Sequence, residues 1–281
     1  MAEKLLAEVK EDHSMTEDWS GGKPPMKASF GKLMMWYFLV SDAFTFTGFL
    51  IAYGALRMSV PTWPVPDFVF QSFPGGFTGL PLIFVTVMSF VLIISSVTMV
   101  RAVQEGKREN RKGVVFWLGM TIIGGLTFLA CQAYEWTNLI VVENMTVFEN
   151  PFGTHTVDGV YLNEDGSDGE AFRAGDSYLV HKVNGEWDFK EFRITSGEDA
   201  GKIALTQLGP MTFGSLFFCI TGFHGFHVSI GVFLLIVACV NAASGLYDRK
   251  KTQYETVEKI GLYWHFVDLV WVFVFLVFYL L

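Results

Sequence analysis

The sequence predicts an all-α membrane protein, a bundle of five transmembrane helices with a small β-rich outer insert between helices 3 and 4. Three observations predict it. Of 281 residues, 51% are hydrophobic and only 17% are charged, against about a quarter charged in a soluble domain. Five stretches reach the roughly 20 apolar residues that a bilayer crossing needs. A polar run over 141–209 interrupts them once, and it is too long for an ordinary loop.

The elements follow in order. Residues 1–31 are a polar tail in which Glu3, Glu8, Glu11, Asp12, Glu17 and Asp18 mix with lysines. No short apolar segment with a small-residue cleavage site precedes the first span, so that span is expected to direct insertion. Residues 32–140 hold spans at Leu33–Leu56, Leu80–Val100 and Gly113–Ile140, and residues 210–281 hold Met211–Val240 and Ile260–Leu281. Lipid offers no hydrogen bonds, so each span should be a helix. The loop 57–79, with its PTWPVPDF and several phenylalanines, reads as an aromatic segment at the outer interface; its prolines exclude a continuous helix.

Charge sets the orientation. Lys and Arg gather in cytoplasmic loops. Arg101, Lys107, Arg108, Arg111 and Lys112 fill one loop, Arg249, Lys250, Lys251 and Lys259 another, and Lys23, Lys27 and Lys32 precede the first span. All fall on one side if the N-terminus is cytoplasmic and the C-terminus and the 141–209 insert are periplasmic, at a bacterial inner membrane. The insert carries 13 acidic residues against 5 Lys and Arg. Such a surface keeps a domain soluble and can also steer a basic partner. Within SYLVHKVNGEWDFKEFRI, Asn184-Gly185 separates two strand-like runs, which predicts a tight hairpin. The net charge of −8 does not suit a nucleic-acid binder. Cys131, Cys219 and Cys239 lie in apolar runs with no zinc or disulfide spacing.

Six ionisable residues lie inside spans: Asp42, Glu135, His224, His227, His265 and Asp268. Each is costly in lipid and should face the bundle interior. At about 1.5 Å per residue, Asp42, His227, His265 and Asp268 fall in one slab about 10 Å thick on three helices, with Glu135 nearer the outer face. The expectation is one hydrogen-bonded cluster of those four, with His265 and Asp268 neighbours at i, i+3. His224 and His227 share one side of a helix. A catalytic zinc takes three protein ligands, however, and a bis-histidine haem takes facing histidines at matched depth. Structural hydrogen bonding is therefore favoured over ligation, and no catalytic, cofactor or metal ligand is assigned. Gly124, Gly125, Gly214, Gly222, Gly225 and Gly231 would let the helices approach closely.

TGFHGFHVSIG (221–231) and GLYWHFVDLVW (261–271) together resemble the paired signature of subunit III of haem–copper terminal oxidases, the cytochrome c oxidase subunit III family in its five-helix bacterial type. MWYFLVSDAFTFTGFL (35–50) and QAYEWTNL (132–139) are similar to two further helices of that family, in the same order. The resemblance covers about 33–139 and 209–281. It implies an accessory subunit without haem or copper, packed on the catalytic subunit I and other oxidase subunits, which hold those cofactors and reduce oxygen with proton translocation in aerobic respiration. It further implies phospholipid binding and support of proton uptake, with Asp42, Glu135, His224, His227, His265 and Asp268 as the motif polar residues. Asp42 stands where the family carries Glu. Five helices replace the seven of many members, and the insert around 146–206 matches nothing in the common pattern. The insert is placed to meet an electron-donor cytochrome or a neighbouring respiratory complex. Three alternatives stay open: a quinol oxidase subunit, an accessory protein of nitric oxide reduction, and, from another class, a stand-alone membrane haem- or metal-binding protein using His224 and His227.

Overall fold

The computed structural model of the chain describes residues 29–71, 73, 82–163, 165–247 and 254–281. Most of the 1–31 tail and the basic residues at 249–251 lie outside the described residues. The helices are α1 (Phe30–Ser59), the short α2 (Pro66–Val69), α3 (Ile83–Lys107), α4 (Arg111–Thr137), α5 (Met211–Ala243) and α6 (Tyr254–Phe275). A π-helical turn follows α4 at Asn138–Val142, and another follows α6 at Leu276–Leu280. All but α2 are long and apolar enough to cross a membrane, which makes the chain a multipass membrane protein.

Helix ends extend beyond the apolar runs where polar groups find partners. α6 begins at Tyr254 rather than Ile260, and the acids near its start are paired. Glu255 accepts from the Ser29 hydroxyl, the N-cap of α1, and Glu258 meets Lys32 at 2.9 Å. α3 runs past Val100 to Lys107 with Ala102, Glu105 and Gly106 buried. There Asn110 caps α4 and donates its amide to Glu105 at 2.6 Å, so the charged loop becomes a tight turn.

α6 is the central post, touching α1, α3 and α5, while α4 packs on both α3 and α5. Its tryptophans fill the core, and their indole N–H groups find hydroxyls on α3: Trp264 donates to Ser95 at 3.1 Å and Trp271 to Ser89 at 2.9 Å. Buried Trp needs such a partner. Glycines make room for these rings. A Cβ at Gly125 would meet Trp264 at 2.6 Å and Val232 at 2.8 Å, and one at Gly231 would meet Trp264 at 3.0 Å.

The insert holds eight short strands: β1 (Phe152–Thr154), β2 (Gly159–Leu162), β3 (Asp168–Phe172), β4 (Ser177–Leu179), β5 (His181–Val183), β6 (Glu186–Asp188), β7 (Glu191–Ile194) and β8 (Ile203–Leu205). They form a four-stranded sheet in the order β3-β2-β7-β8 and two pairs, β1-β4 and β5-β6. The expected hairpin is β5-β6, with Val183 opposite Glu186. Asn184 at φ 54° and Gly185 at φ 91° supply its turn. The second run is split in two: β6 ends at Asp188 and β7 restarts at Glu191, with Phe189 between them exposed and Phe192 buried.

His155 is the core of the insert. Its ring stacks on Phe172 at 3.6 Å and touches Tyr178 and Phe192, and its Nε2 lies 2.7 Å from the Tyr161 hydroxyl. Burial pushes its imidazole down to about 4, against a weaker opposite pull from Asp176. The insert is tied to the bundle at its neck. The Gly209 N–H donates to the Asn150 carbonyl at 2.9 Å, and the Asn150 amide donates to the Pro210 carbonyl at 3.1 Å. In the loop after α1, Pro66 opens α2, and the Trp63 carbonyl accepts from Thr154 of the insert at 3.1 Å.

Candidate functional site

The six membrane-embedded ionisable residues are the candidate site, and five of them are buried, with His265 partly exposed. They do not form the single expected cluster. The first group joins three helices. Asp42 on α1 sets Oδ2 3.4 Å from Nδ1 of His227 on α5, close but without hydrogen-bond alignment. The same Nδ1 lies 3.2 Å from the hydroxyl of Tyr263 on α6, and that hydroxyl donates to the His227 carbonyl at 3.0 Å. Phe46 and Phe223 close over the imidazole edge-on at 5.6 and 4.8 Å.

The second group lies on the α3 side of α6. His265 Nδ1 is 2.6 Å from the Ser96 hydroxyl. Asp268, one turn on, is buried beside the same serine, yet no aligned bond reaches either carboxylate oxygen. Helix geometry separates the groups: Tyr263 turns to α5, whereas His265 turns to α3. Residues at matched depth share a cluster only if they also share a face.

His224 corrects a second expectation. Its ring is 1% exposed, but neither nitrogen has a hydrogen-bond partner. It packs on Phe128, Trp271 and Phe46 at 5.9, 5.2 and 6.4 Å, so aromatic contact takes the place of the expected hydrogen bonds. Because His227 lies one helical turn away on the Asp42 side, the two histidines share Phe46 but otherwise serve different neighbours. Among the described residues, no three His, Cys, Asp or Glu side chains gather as a metal ion would require.

Glu135 makes a third, separate site at the C-terminal end of α4. Its Oε2 accepts from the Tyr279 hydroxyl at 3.0 Å and from the Gln132 amide at 3.3 Å. Tyr279 sits on the π turn after α6, where the wider turn shifts the side-chain register. Sequence reasoning missed Tyr263, Tyr279, Ser96 and Gln132. Their signal was present: tyrosine hydroxyls and serines within apolar spans need partners, and buried acids need donors.

One cavity borders the Phe46 wall of the first group, and a second lies at the insert. An apolar groove of about 370 Å³ opens between α1 and α6, lined by Phe46, Leu50, Phe266, Leu269 and Phe273 among others. A larger cleft of about 1330 Å³ lies between the insert and the α2 segment, with Asp67, Glu170, Asp188 and Glu191 beside Lys190 and Arg193.

The family model of cytochrome c oxidase subunit III matches residues 203–281, which span β8, α5 and α6. Cytochrome c oxidase subunit 3 of Synechocystis sp. is 28% identical over 261 residues, 92% of this chain and 78% of the relative. Cytochrome c oxidase subunit 3 of Alkalihalophilus pseudofirmus is 26% identical over 271 residues, 94% of this chain and 96% of the relative. Quinol oxidase subunit 3 of Bacillus spizizenii is 27% identical over 252 residues, covering 89% and 86%. Residues 203–281 thus match the cytochrome c oxidase subunit III family model, and the chain is similar to oxidase subunit 3 proteins over 92% to 94% of its length.

Proposed function

We propose that this chain is the accessory subunit III of a proton-pumping haem–copper terminal oxidase in a bacterial inner membrane. Oxygen reduction belongs to its partners, chiefly the catalytic subunit I, and the chain braces that subunit and supports its proton uptake. The observation that carries the reading is the alignment of oxidase subunit 3 relatives over more than nine-tenths of the chain. The quinol oxidase relative is no more similar than these, so cytochrome c is the preferred donor class for the complex. The basic residues at the α3–α4 turn and before α6 support a cytoplasmic N-terminus and a periplasmic insert. The groove between α1 and α6 fits a phospholipid acyl chain, being lined almost wholly by carbon. Asp42, Glu135, His224, His227, His265 and Asp268 serve as structural or proton- and lipid-related groups. The acidic insert presents a surface for a basic outer partner, an electron-donor cytochrome or a neighbouring respiratory complex.

The test is purification of the tagged chain from native membranes. A haem–copper catalytic subunit should co-purify in fixed ratio, and the visible spectrum should follow that subunit. A chain that isolates alone with stoichiometric haem would instead support the stand-alone cytochrome reading.

A further inference from the structure

The seam between α3 and α6 holds an acid that the pairings above leave out. Asp268 is 7% exposed, and both carboxylate oxygens lack a hydrogen-bond partner. The other polar groups of the seam are committed, Trp264 to Ser95 and Trp271 to Ser89. Ser96 remains. Its hydroxyl is 2.6 Å from His265 Nδ1 and lies beside the Asp268 carboxylate. His265 is partly exposed, so its imidazole reaches the edge of the seam while Asp268 does not. A carboxylate buried without a donor is costly. A carboxyl that has taken up a proton becomes a donor, and the Ser96 oxygen is its acceptor.

We propose that Asp268, Ser96 and His265 form an exchangeable-proton site, in which a proton binds at Asp268 and reaches it from His265 through the Ser96 hydroxyl. In the inward step the imidazolium Nδ1–H passes its proton to Ser96 Oγ, and Ser96 releases its own hydroxyl proton to an Oδ atom of Asp268. The imidazolium becomes neutral, the carboxylate becomes a carboxyl, and the serine is regenerated, so protons and charge balance. The outward step is the reverse. Around the site, Ser95 of α3 is held by Trp264, and His224 of α5 leans on Trp271, one turn from Asp268. His227 is taken up by Asp42 and Tyr263. The inference rests on the geometry of this chain and not on the oxidase reading.

The test is infrared difference spectroscopy of the full chain in native membranes, stepping pH in H2O and in D2O. A carboxyl C=O band should appear, shift down in D2O, vanish in Asp268→Asn and persist in Asp42→Asn. Ser96→Ala and His265→Phe should each slow its hydrogen–deuterium exchange at least tenfold. If Asp268→Asn fails to accumulate, Asp268→Glu assigns the band by displacing rather than removing it. A band indifferent to both Asp268 variants, or one that exchanges as fast in Ser96→Ala as in the parent, overturns the proposal.

Discussion

Glu135 and Asp42 pose the same problem, a carboxyl in an apolar bundle, and the fold meets it with different donors. Glu135 draws on a tyrosine and a glutamine, while Asp42 leans on an imidazole that a second tyrosine also holds. Removing one partner leaves the other buried group short of a bond, which costs about 1–3 kcal/mol. Tyr279→Phe is therefore expected to destabilise the detergent-solubilised protein by that order, read as a lower thermal midpoint. Tyr37→Phe, at an exposed position, serves as the unchanged control. Gly125 is constrained by space instead. Its built Cβ lies 2.6 Å from a Trp264 ring atom whose own indole is anchored to Ser95, so the ring cannot retreat cheaply. Gly125→Leu should destabilise by about 1–3 kcal/mol or more, read in the same melts, while Gly119→Ala, with open space around it, should be near neutral.

At the scale of elements, the insert has its own buried centre and its own pH dependence. His155 is held down to about 4 by burial, whereas in the unfolded chain it titrates near 6.5. The sign follows from proton uptake. Between those values the unfolded chain binds a proton that the folded insert refuses, so the stability the neutral ring contributes is full above about 6.5 and is lost as pH falls towards about 4. The expected loss is on the order of 1–2 kcal/mol. Amide exchange of peptides from β2 to β4, corrected for intrinsic rates, should show about tenfold less protection at pH 5 than at pH 7. His155→Phe should flatten that dependence, and an unchanged slope would remove His155 as its cause. The helices, by contrast, gain their stability from packing around α6, since their end charges are satisfied locally by Asn110, Glu105 and the Glu255 and Glu258 pairs.

At the scale of the whole molecule, the insert and the bundle are joined by a narrow neck at Asn150, Gly209 and Pro210. Because the two chain ends meet there, replacing 151–208 by a short Gly-Ser linker should leave membrane integration and the helical melt almost unchanged. The Trp63 carbonyl would lose the hydrogen bond that Thr154 donates to it, a cost of about 1 kcal/mol. Binding of a basic outer partner, measured by co-purification at low and moderate salt, should fall severalfold. Full retention would leave the acidic surface with a role in solubility alone.

The sequence by itself determined the number of spans, the place of the insert and its Asn184-Gly185 turn, because hydrophobic length and turn chemistry are local properties. It also picked out the six polar residues, since any ionisable group in an apolar run stands out. Which of them meet was decided only by tertiary structure. Depth along a helix can be counted from the sequence, but the face that a residue presents depends on how α1, α3 and α5 are arranged around α6. That arrangement sent His227 to Asp42, His265 to Ser96 and His224 to a wall of aromatic rings. The π turn that brings Tyr279 to Glu135 was equally hidden, because one extra residue in a turn leaves no mark on an apolar run.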